Sequence, residues 1–222
     1  MGVLLMLMTI CGLIIAAIML VTALITKKRW LMKFTLGGVA VWFIFYALML
    51  LGYSLTSTEK VLAQGEAKEY CGFYLDCHMH TAVEGVRTTK TIGDRTATGT
   101  FYIVNVKVFS DAKNPSINMR LLEPKARAVM PDGSKLERDS VAEASLPTAD
   151  MRLDADINNH TTIEKEIVFD LPANAQNAKL LITEGYGIDK TIEHVLVGDE
   201  DSLFHAQTFF ELQEQTVAKG VK

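Results

Sequence analysis

The β-rich character of this chain is clearest in Phe101-Tyr102-Ile103-Val104-Asn105-Val106-Lys107-Val108-Phe109. Side chains in this stretch alternate with period two, and β-branched residues are frequent, which is typical of a strand with one buried face. Asn105 and Lys107 indicate that the opposite face is partly wet. The predicted interior face consists of Tyr102, Val104, Val106 and Val108.

Further strand patterns surround this one. A Pro-Asp-Gly turn at 131–133 predicts a hairpin, because proline presets the first turn dihedral and glycine tolerates a positive φ. The segment 141–159 is polar and weakly patterned, which predicts a long loop with room for a helical turn. The remaining predicted strands are 163–169, 180–183, 191–197 and 208–212. Short strands separated by turns favour an antiparallel sandwich or barrel.

The strand pattern resembles the bacterial extracytoplasmic immunoglobulin-like domains of unknown function. The resemblance rests on Gly99–Val106, the Pro-Asp-Gly hairpin, Phe169-Asp170-Leu171-Pro172 and Phe209-Phe210-Glu211-Leu212, and it covers roughly 81–213. It implies an all-β, antiparallel immunoglobulin-like sandwich outside a bacterial membrane, without any known chemistry. The chain departs from antibody-type domains, which place a cysteine on each of two facing strands, because no cysteine follows Cys77.

Two apolar runs precede the strand-rich part. Val3–Ile25 and Phe34–Leu55 contain no charged residue. At about 1.5 Å per residue, each run can cross a hydrocarbon core of roughly 30 Å, which predicts a transmembrane hairpin with helices at about 3–25 and 34–55. A cleaved signal peptide is the alternative for the first run. We expect no cleavage, because no basic residue precedes that run and it exceeds the usual apolar length of about 7–15 residues.

The charge distribution predicts the orientation. Four of the 22 basic residues and none of the 26 acidic ones lie in residues 1–58, so this part carries +4 and the remainder −8. All four basic residues lie within Thr26–Lys33, and short basic loops stay in the cytoplasm. We therefore predict a multi-pass inner-membrane protein whose C-terminal domain lies in the periplasm or extracellular space. An acidic domain argues against nucleic acid as a partner.

These patterns predict three parts. Residues 1–58 form the two-helix anchor, 59–80 a juxtamembrane linker that contains the Cys/His segment, and 81–222 the β-sandwich domain.

The unusual chemistry lies in the Cys/His segment, residues 69–80. Cys71 and Cys77 are the two cysteines outside the apolar runs, and an isolated pair in an oxidising compartment usually forms a disulfide. We predict that this disulfide pins the entry of the domain against the anchor. The alternative is a copper site made of Cys71, Cys77, His78 and His80, because copper favours soft and borderline ligands. Their spacing matches neither the paired C-x-x-C zinc pattern nor the haem attachment C-x-x-C-H.

The sequence contains no nucleophile elbow, H-E-x-x-H, phosphate loop or dinucleotide fingerprint. We therefore expect a protein that is not an enzyme and holds no cofactor. The favoured function is an extracytoplasmic interaction or accessory subunit of a larger membrane assembly, whose partners are the lipid bilayer and other membrane-protein subunits. The alternative is a copper-handling or electron-transfer accessory protein that uses the Cys/His segment.

Overall fold

A computed structural model of the chain describes residues 2–71, 77–173, 175–185 and 187–214. The chain divides into two compact units. The helical unit contains Met1–Glu59 together with Gly187–Gln207, and the β unit contains Lys60–Tyr186 and Thr208–Lys222. The β unit is therefore interrupted in sequence by a segment that folds with the N-terminal helices.

Two long helices, α1 (Gly2–Ile25) and α2 (Arg29–Thr56), dominate the helical unit. In the described part of the chain, these are the two helices long and apolar enough to cross a membrane, and a signal sequence has the same features. The indole Nε1 of Trp42 donates a hydrogen bond of 3.0 Å to Thr9 Oγ1, which aligns the two helices. Helix α2 begins before its apolar run, because Arg, Met and Lys are good helix formers.

The β unit contains nine strands in its described residues. They are β1 (Lys60–Leu62), β2 (Ala67–Tyr70), β3 (Met79–Ile92), β4 (Arg95–Ser110), β5 (Lys125–Val129), β6 (Lys135–Leu136), β7 (Ile163–Leu171), β8 (Lys179–Thr183) and β9 (Thr208–Glu211). One sheet has the order β2-β3-β4-β7 and is antiparallel throughout. The other has the order β1-β9-β8-β5-β6, in which β1 and β9 run parallel and the other pairs antiparallel.

The predicted interior face of β4 is confirmed. Val104, Val106 and Val108 are fully buried in the main core, and Tyr102 packs against it. The same core contains residues of the other sheet, among them Leu180. The two sheets therefore enclose one core, as in a β-sandwich.

The opposite face of β4 is only partly wet. Phe101 and Ile103 are buried there in a second, smaller core. Ala142 of the short helix α3 (Ser140–Glu143) and Val168 of β7 belong to the same core. The polar segment 141–159 thus contains the helical turn for which the sequence left room, and that turn covers part of the sheet.

The strand predicted at 191–197 is wrong. Gly187–Glu193 form helix α4, and the chain then continues in turns until β9. Ile192 and Leu196 lie four residues apart, a spacing that fits a helical face as well as alternate strand positions. His194, which would share a strand face with Ile192 and Leu196 if 191–197 were a strand, is exposed.

The predicted linker also contains regular structure. Strands β1 and β2 lie within 59–80, and each joins a different sheet of the β unit. Period-two patterning is hard to recognise in strands of three and four residues, because each face contributes only one or two side chains.

Candidate functional site

The Cys/His segment is the connection between β2 and β3. These strands are antiparallel neighbours, and Tyr70 lies in register with Met79. Cys71 and Cys77 form a disulfide that closes this hairpin just beyond the last strand pair. The residues between them, 72–76, lie outside the described residues. The disulfide therefore pins two strands of the β unit to each other.

The hairpin is also fixed from its buried side. The hydroxyl of Tyr70 lies 3.0 Å from Thr81 Oγ1 and donates to the carbonyl oxygen of Ile182 at 3.2 Å. The ammonium of Lys68 donates to the same carbonyl at 3.0 Å, although Lys68 is buried. These contacts join β2 to β8 of the other sheet, so the cysteine pair extends from a rigid base.

Two histidines converge on one carboxylate beside the disulfide. His78 Nδ1 lies 2.7 Å from Asp111 Oδ1, and His80 Nε2 lies 3.2 Å from the same oxygen. His80 occupies β3, and its ring stacks on Phe109 of β4 with a centroid distance of 5.1 Å. Asp111 follows the end of β4, and its backbone N–H donates to the carbonyl oxygen of His78. We call His78, His80 and Asp111 the histidine–aspartate cluster.

The electrostatics of the histidine–aspartate cluster favour the ionised carboxylate. The hydrogen bond with His78 and the contact with His80 hold the pKa of Asp111 below its ordinary value of 3.8. The two imidazoles differ in environment, since the side chain of His80 is 13% exposed and that of His78 is 42% exposed. Nε2 of His80 is buried and lies 3.2 Å from the Asp111 carboxylate without meeting the geometry of a directed hydrogen bond.

Sequence reasoning missed Asp111. The sequence shows it only as the polar residue that ends a strand, 31 positions beyond His80. The antiparallel register of β3 with β4, in which Met79 lies opposite Ser110, brings it to the histidines. Once β3 and β4 are recognised as a hairpin, the position of Asp111 just beyond the end of β4 indicates that it lies near the histidines.

The four residues predicted as copper ligands are not arranged as one ligand set. The sulfur atoms of Cys71 and Cys77 are bonded to each other, so thiolate ligation requires reduction of the disulfide. Among the described residues, no group of three or more His, Cys, Asp or Glu side chains is arranged to hold a metal ion.

A second polar site lies along β7. Within the described residues, β7 is an edge strand, and the chain from Asp139 to Ala149 covers it. Glu143 accepts a hydrogen bond from the backbone N–H of Val168 and forms an ion pair with Arg138. Lys165 donates to the carbonyl oxygens of Thr148 and Ala149 at 3.3 Å each.

These polar groups border an open cavity of about 580 Å³, which Arg138, Glu143 and Lys165 help to line. Burial lowers the pKa of Lys165. Each of these three charged groups is paired or bonded to backbone, and this arrangement seals a strand edge. Lys165 had a recognisable signal in the sequence, because it occupies the same strand face as Ile163 and Ile167.

Comparison with known proteins assigns no family. No protein-family model matches the chain, and no curated protein matches it. The secreted protein MPT63 of Mycobacterium tuberculosis is a similar solved structure, with 12% sequence identity and a TM-score of 0.43, over 70% of this chain and 97% of that chain. A conserved hypothetical protein from Bacillus anthracis is similar with 14% identity and a TM-score of 0.37, over 53% of this chain and 91% of that chain. At this level of similarity, neither protein lends a function to this chain.

Proposed function

We propose that the protein is a membrane-anchored accessory subunit whose immunoglobulin-like domain lies outside the cytoplasm and binds other membrane-protein subunits. The observation that carries the proposal is the apolar surface of the helices. Large apolar side chains are exposed along both α1 and α2, as at Ile18 and Val41, which are 62% and 68% exposed. An apolar surface of this extent needs lipid or protein around it.

The connection between the helices supports the orientation. It contains Lys27 and Lys28, and Arg29 begins α2. Positive charge in a short loop is retained in the cytoplasm, so the β unit emerges on the other side. A reporter that is active only in the cytoplasm, fused after Lys222, tests this orientation.

The sheet edges of the β unit do not favour strand addition as the binding mode. In the described part of the chain, the edge strands β1, β2 and β6 contain three, four and two residues. The longer edge strand β7 is covered by the chain around α3. Short and covered edges discourage pairing with another chain. The proposed contacts are therefore made by loops of the β unit and by the helices.

The helices offer one groove for such a contact. It has a volume of about 360 Å³ and is lined almost entirely by apolar atoms, with Gly12 and Gly38 among its lining residues. A Cβ atom at either glycine would meet nothing within 4 Å. Small residues of this kind allow close approach of another helix in a membrane.

A matched pair of variants tests the proposed assembly. Gly38→Leu fills the groove, whereas Gly37→Leu adds the same side chain where there is also open space but outside the groove. We expect Gly38→Leu to lose a higher-mass complex on native gels in mild detergent, and Gly37→Leu to keep it. A parent protein that migrates as the single chain under these conditions would contradict the accessory-subunit proposal.

Copper handling is the second candidate function, and the convergence of His78 and His80 on Asp111 favours it. Imidazole suits copper, and a carboxylate beside two imidazoles can orient them. Protein purified without added metal is analysed for copper and for free thiols. Stoichiometric copper that is lost in Asp111→Asn but retained in His160→Ala supports this function. An oxidised cysteine pair without metal supports the accessory subunit.

A further inference from the structure

Within the helical unit, three polar contacts described below join the segment Gly187–Gln207, which separates β8 from β9 in sequence, to α2 and Ser57. The hydroxyl of Tyr46 donates to the carbonyl oxygen of Val195 at 2.7 Å. Ser54 Oγ and Ser202 Oγ lie 3.3 Å apart, and both residues are buried. The backbone N–H of Ala206 donates to Ser57 Oγ at 2.7 Å. Three points of attachment along α2 and just beyond it hold this segment in one place.

The position of this segment along the helical hairpin follows from the way in which α1 and α2 are aligned. Because Trp42 bonds to Thr9, Gly2 lies about level with Met49, seven residues further along α2. Helix α2 continues to Thr56 and so extends past the start of α1 by about 10 Å at 1.5 Å per residue. The segment lies against Gly2, where an added Cβ would come within 2.4 Å of the carbonyl oxygen of Val197. It therefore occupies the step at the end of the hairpin remote from the basic connection.

The segment buries some apolar side chains and exposes others. Leu196 and Val197 are buried, whereas Val195, Leu203 and Phe204 are exposed. Phe204 is 74% exposed and has a φ of 64°, a left-handed conformation that is uncommon for a bulky residue. The hydrogen bond from Leu203 N–H to the carbonyl oxygen of His194 holds this turn closed. An exposed phenylalanine is thus kept on a constrained turn.

We propose that Val195, Leu203 and Phe204 contact the acyl-chain boundary of the outer leaflet and act as an interfacial anchor. The inference rests on the proposed function, since it requires α1 and α2 to span the membrane. Exposed apolar side chains of α1 and α2, such as Leu4 and Leu55, lie near this end of the hairpin, and aromatic residues are enriched at membrane interfaces. Tyr53, whose ring approaches Gly198, is half-exposed at the same end.

The acidic charge of the segment argues against contact with anionic lipid headgroups. Its sequence contains five acidic residues against one lysine, and three of the acidic residues are consecutive, Asp199-Glu200-Asp201. Negative charge of this density is repelled by anionic headgroups. The occupant is therefore the hydrocarbon boundary of the bilayer rather than an anionic lipid.

Fluorescence quenching by brominated lipid tests the contact in full-length protein reconstituted into lipid nanodiscs. The chain has two tryptophans, both in the helices, so Trp30→Phe/Trp42→Phe gives a background free of tryptophan. Phe204→Trp is placed in that background, and Val141→Trp is its matched control, since Val141 is also exposed but belongs to the β unit. The Trp42→Phe variant, which retains only Trp30, reports the membrane insertion of the helices.

Zwitterionic lipid brominated high on the acyl chains should quench the Phe204→Trp variant to an extent comparable with Trp30, and should leave the Val141→Trp control unaffected. Quenching of Trp30 without quenching of the Phe204→Trp variant overturns the interfacial anchor and leaves membrane anchoring intact. Absence of quenching at Trp30 overturns the membrane anchoring and the interfacial anchor together. Leu203→Trp in the same background repeats the test if Phe204→Trp does not fold, and an unquenched indole at position 203 likewise overturns the proposal.

Discussion

A charge placed at Val104 or at Val106 should have different consequences, although both valines are fully buried on the same face of β4. Val104 lies in register with Val86 on β3 and Ile167 on β7, so Val104→Asp creates a charge without a partner. Val106 lies in register with Lys165 on β7.

The expected losses in the free energy of unfolding follow from the residues that lie opposite each valine. An uncompensated buried charge costs about 3–5 kcal/mol, which is a large share of a typical unfolding free energy of roughly 5–15 kcal/mol. Lys165 is buried and its ammonium bonds only weakly to two carbonyl oxygens at 3.3 Å, so a carboxylate at position 106 gains an ion pair. Val106→Asp should therefore lose clearly less stability than Val104→Asp. Thr96→Asp, at an exposed position of the same strand, should stay within about 0.5 kcal/mol of the parent.

Urea unfolding of the full chain in detergent, followed by circular dichroism of the β signal, measures the difference. Adding Lys165→Met to Val106→Asp should remove the recovered stability. Equal losses at positions 104 and 106 would refute the pairing with Lys165. Parent-like unfolding of Val104→Asp would refute the assignment of this face to the core.

Three further predictions concern the candidate site and the topology. Replacing Cys71 and Cys77 by serine should cost about 2 kcal/mol, since the closed loop is short, and hydrogen exchange should increase in residues 77–80 while the sheets of the β unit stay protected. Because the pKa of Asp111 is lowered in the folded protein, its carboxylate stabilises the fold above the ordinary value of 3.8, and this stabilisation is lost as the pH falls through the lower folded-state pKa. In thermal melts recorded at decreasing pH, the Tm of Asp111→Asn should therefore fall less steeply than that of the parent. An identical dependence of Tm on pH in the two proteins would contradict the geometry of the histidine–aspartate cluster. A reporter that is active only in the cytoplasm should stay silent when fused after Lys222, and an active fusion would reverse the orientation.

Local patterns in the sequence were sufficient for much of the architecture. The two apolar helices, the interior face of β4, the Pro-Asp-Gly hairpin and the strands near 163, 180 and 208 are all found in the structure. These features follow from periodicity and turn chemistry, which act over a few residues and are therefore visible in a single sequence. The disulfide was also predicted, because Cys71 and Cys77 are the two cysteines that lie outside the apolar runs.

The features that the sequence did not predict depend on pairing between residues far apart in the chain. Asp111 reaches His78 and His80 because β3 and β4 are paired in one particular register, and Lys165 lies beside Val106 for the same reason in β4 and β7. The segment Gly187–Gln207 has a spacing that fits both a strand and a helix, and in the structure it contains α4 and folds with α1 and α2 instead of joining a sheet. Period and composition describe which face of an element is apolar, but they do not specify the distant surface that will cover it. That choice depends on the free energy of the assembled core, to which residues far apart in sequence contribute together.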